Sequence, residues 1–175
     1  IDDNCVLDGK GEGDQTIEIG SRSIIGRNSV LSCKGGSIHL GQQVNISVNC
    51  SLISESRLSI GDKVMIAGHC YLIAGGNHGM DRLDVPVVEQ PSIQKGGINI
   101  GRHCWLGAQA TVLDGVTLGR DSVVAAGAVV NRSAQDYVVL GGGPARVIKD
   151  RMPTRHQPPA EAGPGGDNPS VVDAD

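Results

Sequence analysis

One stretch of the 175-residue chain concentrates residue types that can move protons or hold polar ligands. It reads IAGGNHGMDRLDVPVVEQP, from Ile73 to Pro91, and contains Asn77, His78, Asp81, Arg82, Asp84 and Glu89. Imidazole is the side chain that ordinarily changes protonation near neutral pH, so His78 is the candidate proton acceptor. The carboxylates around it are candidates to orient its second nitrogen. Taken alone, a loop histidine is more often a surface residue than a catalyst. The other four histidines do not assemble with it: His69 and His103 fall on outward positions of different faces of the repeat described below, His39 lies between coils, and His156 sits near the C-terminus. Five cysteines, Cys5, Cys33, Cys50, Cys70 and Cys104, form no CxxC pair and no His/Cys cluster with zinc spacing. No bound metal is expected, and the odd count suits reduced thiols in a cytoplasmic protein.

The elements that must position these residues follow from a six-residue period. From Leu106, LGAQAT VLDGVT LGRDSV VAAGAV VNRSAQ places an aliphatic residue every sixth position, with a small residue four places on. Three such hexads make one coil. Coils then start at Ile19, Leu40, Ile60, Ile100 and Leu118, with inner rows Ile19/Ile25/Leu31, Leu40/Ile46/Leu52, Ile60/Ile66/Leu72, Ile100/Leu106/Val112 and Leu118/Val124/Val130. The starts are 21, 20, 40 and 18 residues apart, so every insertion beyond eighteen follows a third hexad and leaves from one edge of a three-sided prism. Short hexad strands with tight corners indicate a parallel β-helix whose aliphatic residues stack into ladders. Cys50, Cys70 and Cys104 occupy the small position of their hexads and are expected in the core. Ile1 and Leu7 also fit the period, as first and second faces of an incomplete coil whose third position would be Gly13; a chain that begins inside a repeat is expected to continue upstream.

The expected organisation is a β-helix over residues 1–135 with residues 77–98 extruded as a loop, a terminal strand and short capping helix over 136–152, and a disordered tail over 153–175. Pro144 in DYVVLGGGPARVIKDRM suits the first turn of that helix. The tail holds five of the chain's eight prolines. A loop of the length of 77–98 inside a compact domain is functional or disordered, and its mixture of valines with polar groups favours function. The core is aliphatic: Phe is absent, Trp occurs once and Tyr twice. A net charge of −4 argues against a generic nucleic-acid binder, and no apolar run is long enough to span a membrane.

The hexads, NHGMDRLDVPVVEQP, INIGRHCWLGAQATVLDGVTLGRDSVVAAGAVV and the closing GGGPARVIKDR resemble the hexapeptide-repeat O-acetyltransferases, the group of maltose, galactoside and capsular-polysaccharide acetyltransferases. The resemblance covers about Ile19 to Arg151. It implies a left-handed parallel β-helix, opposite to the usual right-handed parallel crossover, a homotrimer with active sites between subunits, and acetyl-CoA as donor. On that resemblance His78 matches the catalytic base that takes the proton of an attacking sugar hydroxyl, and Asn77 the acceptor-contacting position. Asp81 and Arg82 join Asn77 as candidates for acceptor binding.

Trp105, on an outward hexad position, matches a tryptophan lining the cleft between subunits, with plain packing at that interface as the equal alternative. Ala108 and Ala126 match positions whose backbone meets the thiol arm of the coenzyme. Asn131, Arg132, Arg146 and Lys149 match its remaining contacts, where guanidinium groups suit phosphate. The chain departs from the family in having Asn131 and Arg132 where Thr-Lys is common, and in lacking the helical segment of the maltose type; the loop and its PVVEQ look more like the polysaccharide and lipopolysaccharide branch. Two other readings stay open: a γ-class carbonic anhydrase-like metalloenzyme, which needs a close pair of histidines plus a third, and a non-catalytic β-helix scaffold or assembly module.

Overall fold

The computed structural model describes residues 1–9 and 15–152; the tail expected over 153–175 lies outside them, as does Gly13. Hexad strands stack into three parallel sheets that form the faces of a prism of about six coils. The first face carries Ile17–Ile19, Ser37–Leu40, Arg57–Ile60, Ile98–Ile100 and Thr117–Leu118. The second carries Ile24–Ile25, Asn45–Ile46, Met65–Ile66, Trp105–Leu106, Val123–Val124 and Val138–Gly141. The third carries Val6–Asp8, Val30–Cys33, Ser51–Ser54, Tyr71–Ala74, Thr111–Leu113 and Val129–Val130.

The register explains the period. Leu31, Leu52, Leu72, Val112 and Val130 pair in sequence on the third face, so like residues stack over like. All the expected inner positions are buried except Ile19, which is partly buried near the N-terminal end. A second inward row was not visible in the hexads: Ile38, Leu58 and Ile98 pair two residues before the first-face row and are equally buried. Glycine follows the first-face residue because adjacent coils touch there. A Cβ on Gly61 would meet the Arg102 backbone N at 2.6 Å, and one on Gly101 the Arg120 N at the same distance.

Corners on the first and second faces put the third residue after the inner one in the left-handed region, as at Asn28, Asn49, His69, His103 and Asp121. This accounts for two histidines. His69 stacks on Asn49, Nδ2 to Nε2 3.5 Å, and His103 Nδ1 lies 3.1 Å from Asp121. His39 lies on the first face rather than between coils, with Nδ1 3.0 Å from Glu18. Cys50, Cys70 and Cys104 are buried as expected and point their thiols at carbonyls of the next coil, 3.1 to 3.2 Å away. Burial pushes the Cys104 thiol up to about 11.

Two further expectations are corrected. Leu7 pairs with Leu31, and the Asp2 N–H donates to the Ile25 carbonyl, so Ile1 and Leu7 belong to the second and third faces rather than the first and second. The cause is one more insertion, between Asp8 and Ile17, at the same edge as the others. The capping helix is replaced by a strand. Arg146–Asp150 runs back antiparallel along Val138–Gly141, because that last second-face strand would otherwise show a bare edge. Val147 and Ile148 suit an extended chain better than a helix.

Candidate active site

The long loop leaves the prism at the edge between the third and first faces, and its neck is held by two carboxylates. Gly75 and Gly76 turn the chain outward with φ of +133° and +69°, and the Gly76 N–H donates to Glu55 Oε2 at 2.8 Å. Asn77–His78 then pairs antiparallel with Ser92–Ile93, and Gly96 and Gly97 turn the chain back into Ile98. Asp114 lies one residue beyond the Ile73–Leu113 pair, over Ala74, in a row of small residues that includes Cys33 and Ser54. It is only 5% exposed. Its Oδ1 accepts from the Gly97 N–H at 2.8 Å, and its Oδ2 from the Lys95 N–H at 2.8 Å and Asn77 Nδ2 at 2.9 Å. Three charge-assisted bonds offset the cost of burying the carboxylate and tie both strands of the neck to the column.

Inside the loop a second buried group does similar work. The Gln90 amide Nε2 donates to the carbonyls of Arg82 at 2.8 Å and Val85 at 3.0 Å. The Gln90 backbone carbonyl faces His78 Nδ1 at 3.4 Å. A carbonyl only accepts, so a hydrogen bond at this contact is made by the tautomer with its proton on Nδ1, whose Nε2 keeps the lone pair a general base needs. None of Asp81, Asp84 or Glu89 orients this nitrogen; a main-chain oxygen faces it.

His78 is exposed at the mouth of a cavity of about 370 Å³, lined also by Asn77, Asp81, Met80, Ile93 and Lys95. Arg82 is elsewhere. Its guanidinium pairs with Asp84 at 2.6 and 3.2 Å, and that hydrogen bonding holds the Asp84 carboxyl below its ordinary value. No residue of the loop's single 3₁₀ turn, Val87–Glu89, is buried. Leu83, at the tip, is 98% exposed.

The remaining candidates occupy other parts of the prism. Trp105 stands on the outside of the second face between Met65 and Val123, 50% exposed, beside a hollow of about 210 Å³. Ala108 and Ala126 stack on the corner that follows this face, both exposed, with the Gly127 N–H bonded to the Ala108 carbonyl at 2.8 Å. Arg146 and Lys149 lie on the added edge strand of the same face, exposed. Asn131 and Arg132 follow the third face on the loop's edge, two coils beyond it. Within one chain, then, His78 does not meet Trp105, Ala108 or Ala126; they lie on different edges and faces.

Sequence reasoning missed Asp114, Gln90 and Lys95. Asp114 left a signal, since it is a charged residue at a position where the coils below carry Cys33, Ser54 and Ala74. Among the described residues no group of three or more His, Cys, Asp and Glu side chains could hold a metal ion. No helix of these residues is long and apolar enough to cross a membrane.

The chain is similar to known proteins in both sequence and fold. Residues 97–132 match the family model described as the hexapeptide repeat of succinyl-transferase. The chain is 34% identical over 136 residues to a probable acetyltransferase of Mycobacterium tuberculosis, covering 78% of this chain and 45% of that protein. It is 31% identical over 122 residues to the galactoside O-acetyltransferase of Escherichia coli, covering 66% and 55%. The chain therefore spans about half the length of these curated relatives. Among solved structures, a hexapeptide-repeat acetyltransferase of Vibrio cholerae complexed with acetyl coenzyme A superposes with a TM-score of 0.65 at 28% identity, over 78% of this chain and 72% of that one.

Proposed function

Because the chain belongs to the hexapeptide-repeat acetyltransferase family, we propose that it moves an acetyl group from acetyl-CoA to a hydroxyl of a sugar or polysaccharide precursor. His78 is the base, and a second copy of the chain completes the site. The carrying observation is the His78 ring itself, exposed beside a cavity with Nδ1 turned to the Gln90 carbonyl and Nε2 open.

The coenzyme supplies an activated thioester carbonyl. His78 Nε2 takes the proton of the acceptor hydroxyl as its oxygen bonds to that carbonyl carbon; the carbon–sulfur bond breaks, and the imidazolium returns the proton to the departing thiolate. Asn77, fixed by Asp114, and Asp81 hold the acceptor in the cavity, where positioning supplies much of the acceleration. Arg82, paired with Asp84, shapes the loop more than it binds.

Two exposed apolar surfaces support assembly. The loop tip exposes Leu83, Met80 and Val88, and the outside of the second face exposes Ile24, Met65, Trp105 and Ile148. Different patches that fit one another give a head-to-tail contact, which closes into a ring, here a homotrimer. Such a contact brings His78 of one copy to Trp105, Ala108 and Ala126 of another, with Asn131, Arg132, Arg146 and Lys149 for the rest of the coenzyme. The five free cysteines fit a reducing, cytoplasmic setting.

The test is thiol release from acetyl-CoA against a panel of sugars and nucleotide sugars. His78→Ala should lower kcat about 10²-fold to 10⁴-fold while leaving coenzyme affinity and assembly unchanged. Unchanged turnover would remove His78 from the chemistry.

A further inference from the structure

Adjoining the His78 cavity, and sharing Lys95 with it, is a second hollow of about 340 Å³ on the outside of the first face. The two meet at the neck of the loop, where the Lys95 N–H and the Asn77 amide bond to the same Asp114 oxygen. The floor of the hollow is Ser59, Asn99 and Thr117, in register on three successive coils, and its rim is Arg57 with the returning strand from Lys95 to Gly97.

What this hollow offers is almost entirely hydrogen-bond donors and positive charge. Among the described residues, the side chains of Arg57 and Lys95 make no hydrogen bond or ion pair. The Lys95 and Gly97 N–H groups are spent on Asp114, but the Gly96 N–H between them has no partner there. Gly96 and Gly97 have φ of +100° and +89°, and a Cβ at Gly96 would meet nothing within 4 Å, so glycine serves there to hold the turn. Among the described residues, no acidic side chain lines the hollow. Asp114 backs the return strand, but it is 5% exposed and its oxygens carry three hydrogen bonds. Two unpaired cations, a free amide and hydroxyl and amide side chains suit an oxyanion far better than a neutral sugar ring.

We propose that this hollow is an anion subsite for the acceptor: a saccharide carrying a phosphate or carboxylate, whose charged group sits between Arg57 and Lys95 while its hydroxyl reaches His78 next door. The role as acceptor subsite rests on the acyl-transfer reading; the anion binding does not.

Calorimetric titration of the full chain without coenzyme separates the two, using glucose 6-phosphate, glucuronate and glucose as probes. Both anionic sugars should bind at least about tenfold tighter than glucose. Arg57→Gln and Lys95→Gln should each remove about tenfold of that preference, whereas Arg82→Gln should leave it intact. Equal affinity for glucose and its phosphate, or a preference surviving both substitutions, overturns the proposal. So does a loss of acetyl-CoA affinity in Arg57→Gln with no change in sugar-phosphate binding, which would assign the cations to the coenzyme. An intact preference in a chain that releases no thiol from acetyl-CoA would support the anion site and retire the acyl-transfer reading.

Discussion

In the column, Leu52, Leu72 and Val112 stack with no surface exposed, while in the loop that leaves it Leu83 is 98% exposed. The column satisfies itself, each coil covering the apolar residues of its neighbours and closing their backbone hydrogen bonds. The loop is fastened by Glu55 and Asp114 at the neck and by Gln90 within, and among the described residues its apolar tip is left exposed. The contrast shows how a repeat scaffold carries a site: rigidity comes from the stack, and reactivity from the segment the stack leaves unfinished.

Substitutions can break this contrast or sharpen it. The largest effect on stability is expected in the column. Leu72→Ala leaves a hole between two paired coils and should cost about 2–5 kcal/mol in denaturant unfolding. A cost below ~1 kcal/mol would mean that the stack is looser than its burial implies.

Asp114→Ala strands three donors and should cost about 1–3 kcal/mol. Its signature is local: amide hydrogen exchange should accelerate between Asn77 and Gly97 and stay unchanged at Leu52 and Leu106. Acetyl transfer should fall, since Asn77 and His78 lose their anchor. Uniform acceleration along the whole chain would make Asp114 an ordinary core residue instead of a clamp for the loop.

The smallest effect on the fold belongs to Leu83→Asp, which should change unfolding free energy by less than ~0.5 kcal/mol. Sedimentation should nevertheless show weaker self-association than in the unsubstituted chain. An unaltered assembly would free the loop tip from any role in it.

The contrast also explains what could be read without a structure. The column was legible because its rule is local: Ile46, Ile66 and Leu106 follow from a period that each hexad repeats. The site was legible only as residue types. His78 stood out as a lone imidazole in the longest insertion, but its orienting partner is the main-chain carbonyl of Gln90, which no side-chain pattern reveals. The anchor at Asp114 is 37 residues from Asn77, and only stacking of coils brings them together. The end of the chain misled for a similar reason. Pro144 read as a helix start, yet the bare edge of Val138–Gly141 recruits Arg146–Asp150 as a strand. Ile1 and Leu7 kept the period but lost their faces to an insertion whose length the hexads alone did not disclose.

The most direct test mixes two disabled chains. His78→Ala and Trp105→Ala are prepared separately, denatured together in equal amounts, refolded and assayed for thiol release from acetyl-CoA. If the loop of one copy serves the second face of another, about a quarter of the sites in the mixed assemblies combine an intact His78 with an intact Trp105. Activity should then rise to about that fraction of the unsubstituted protein, well above either variant alone. A mixture no more active than its parts, with mixed assemblies demonstrated by mass spectrometry, would contradict a site shared between copies.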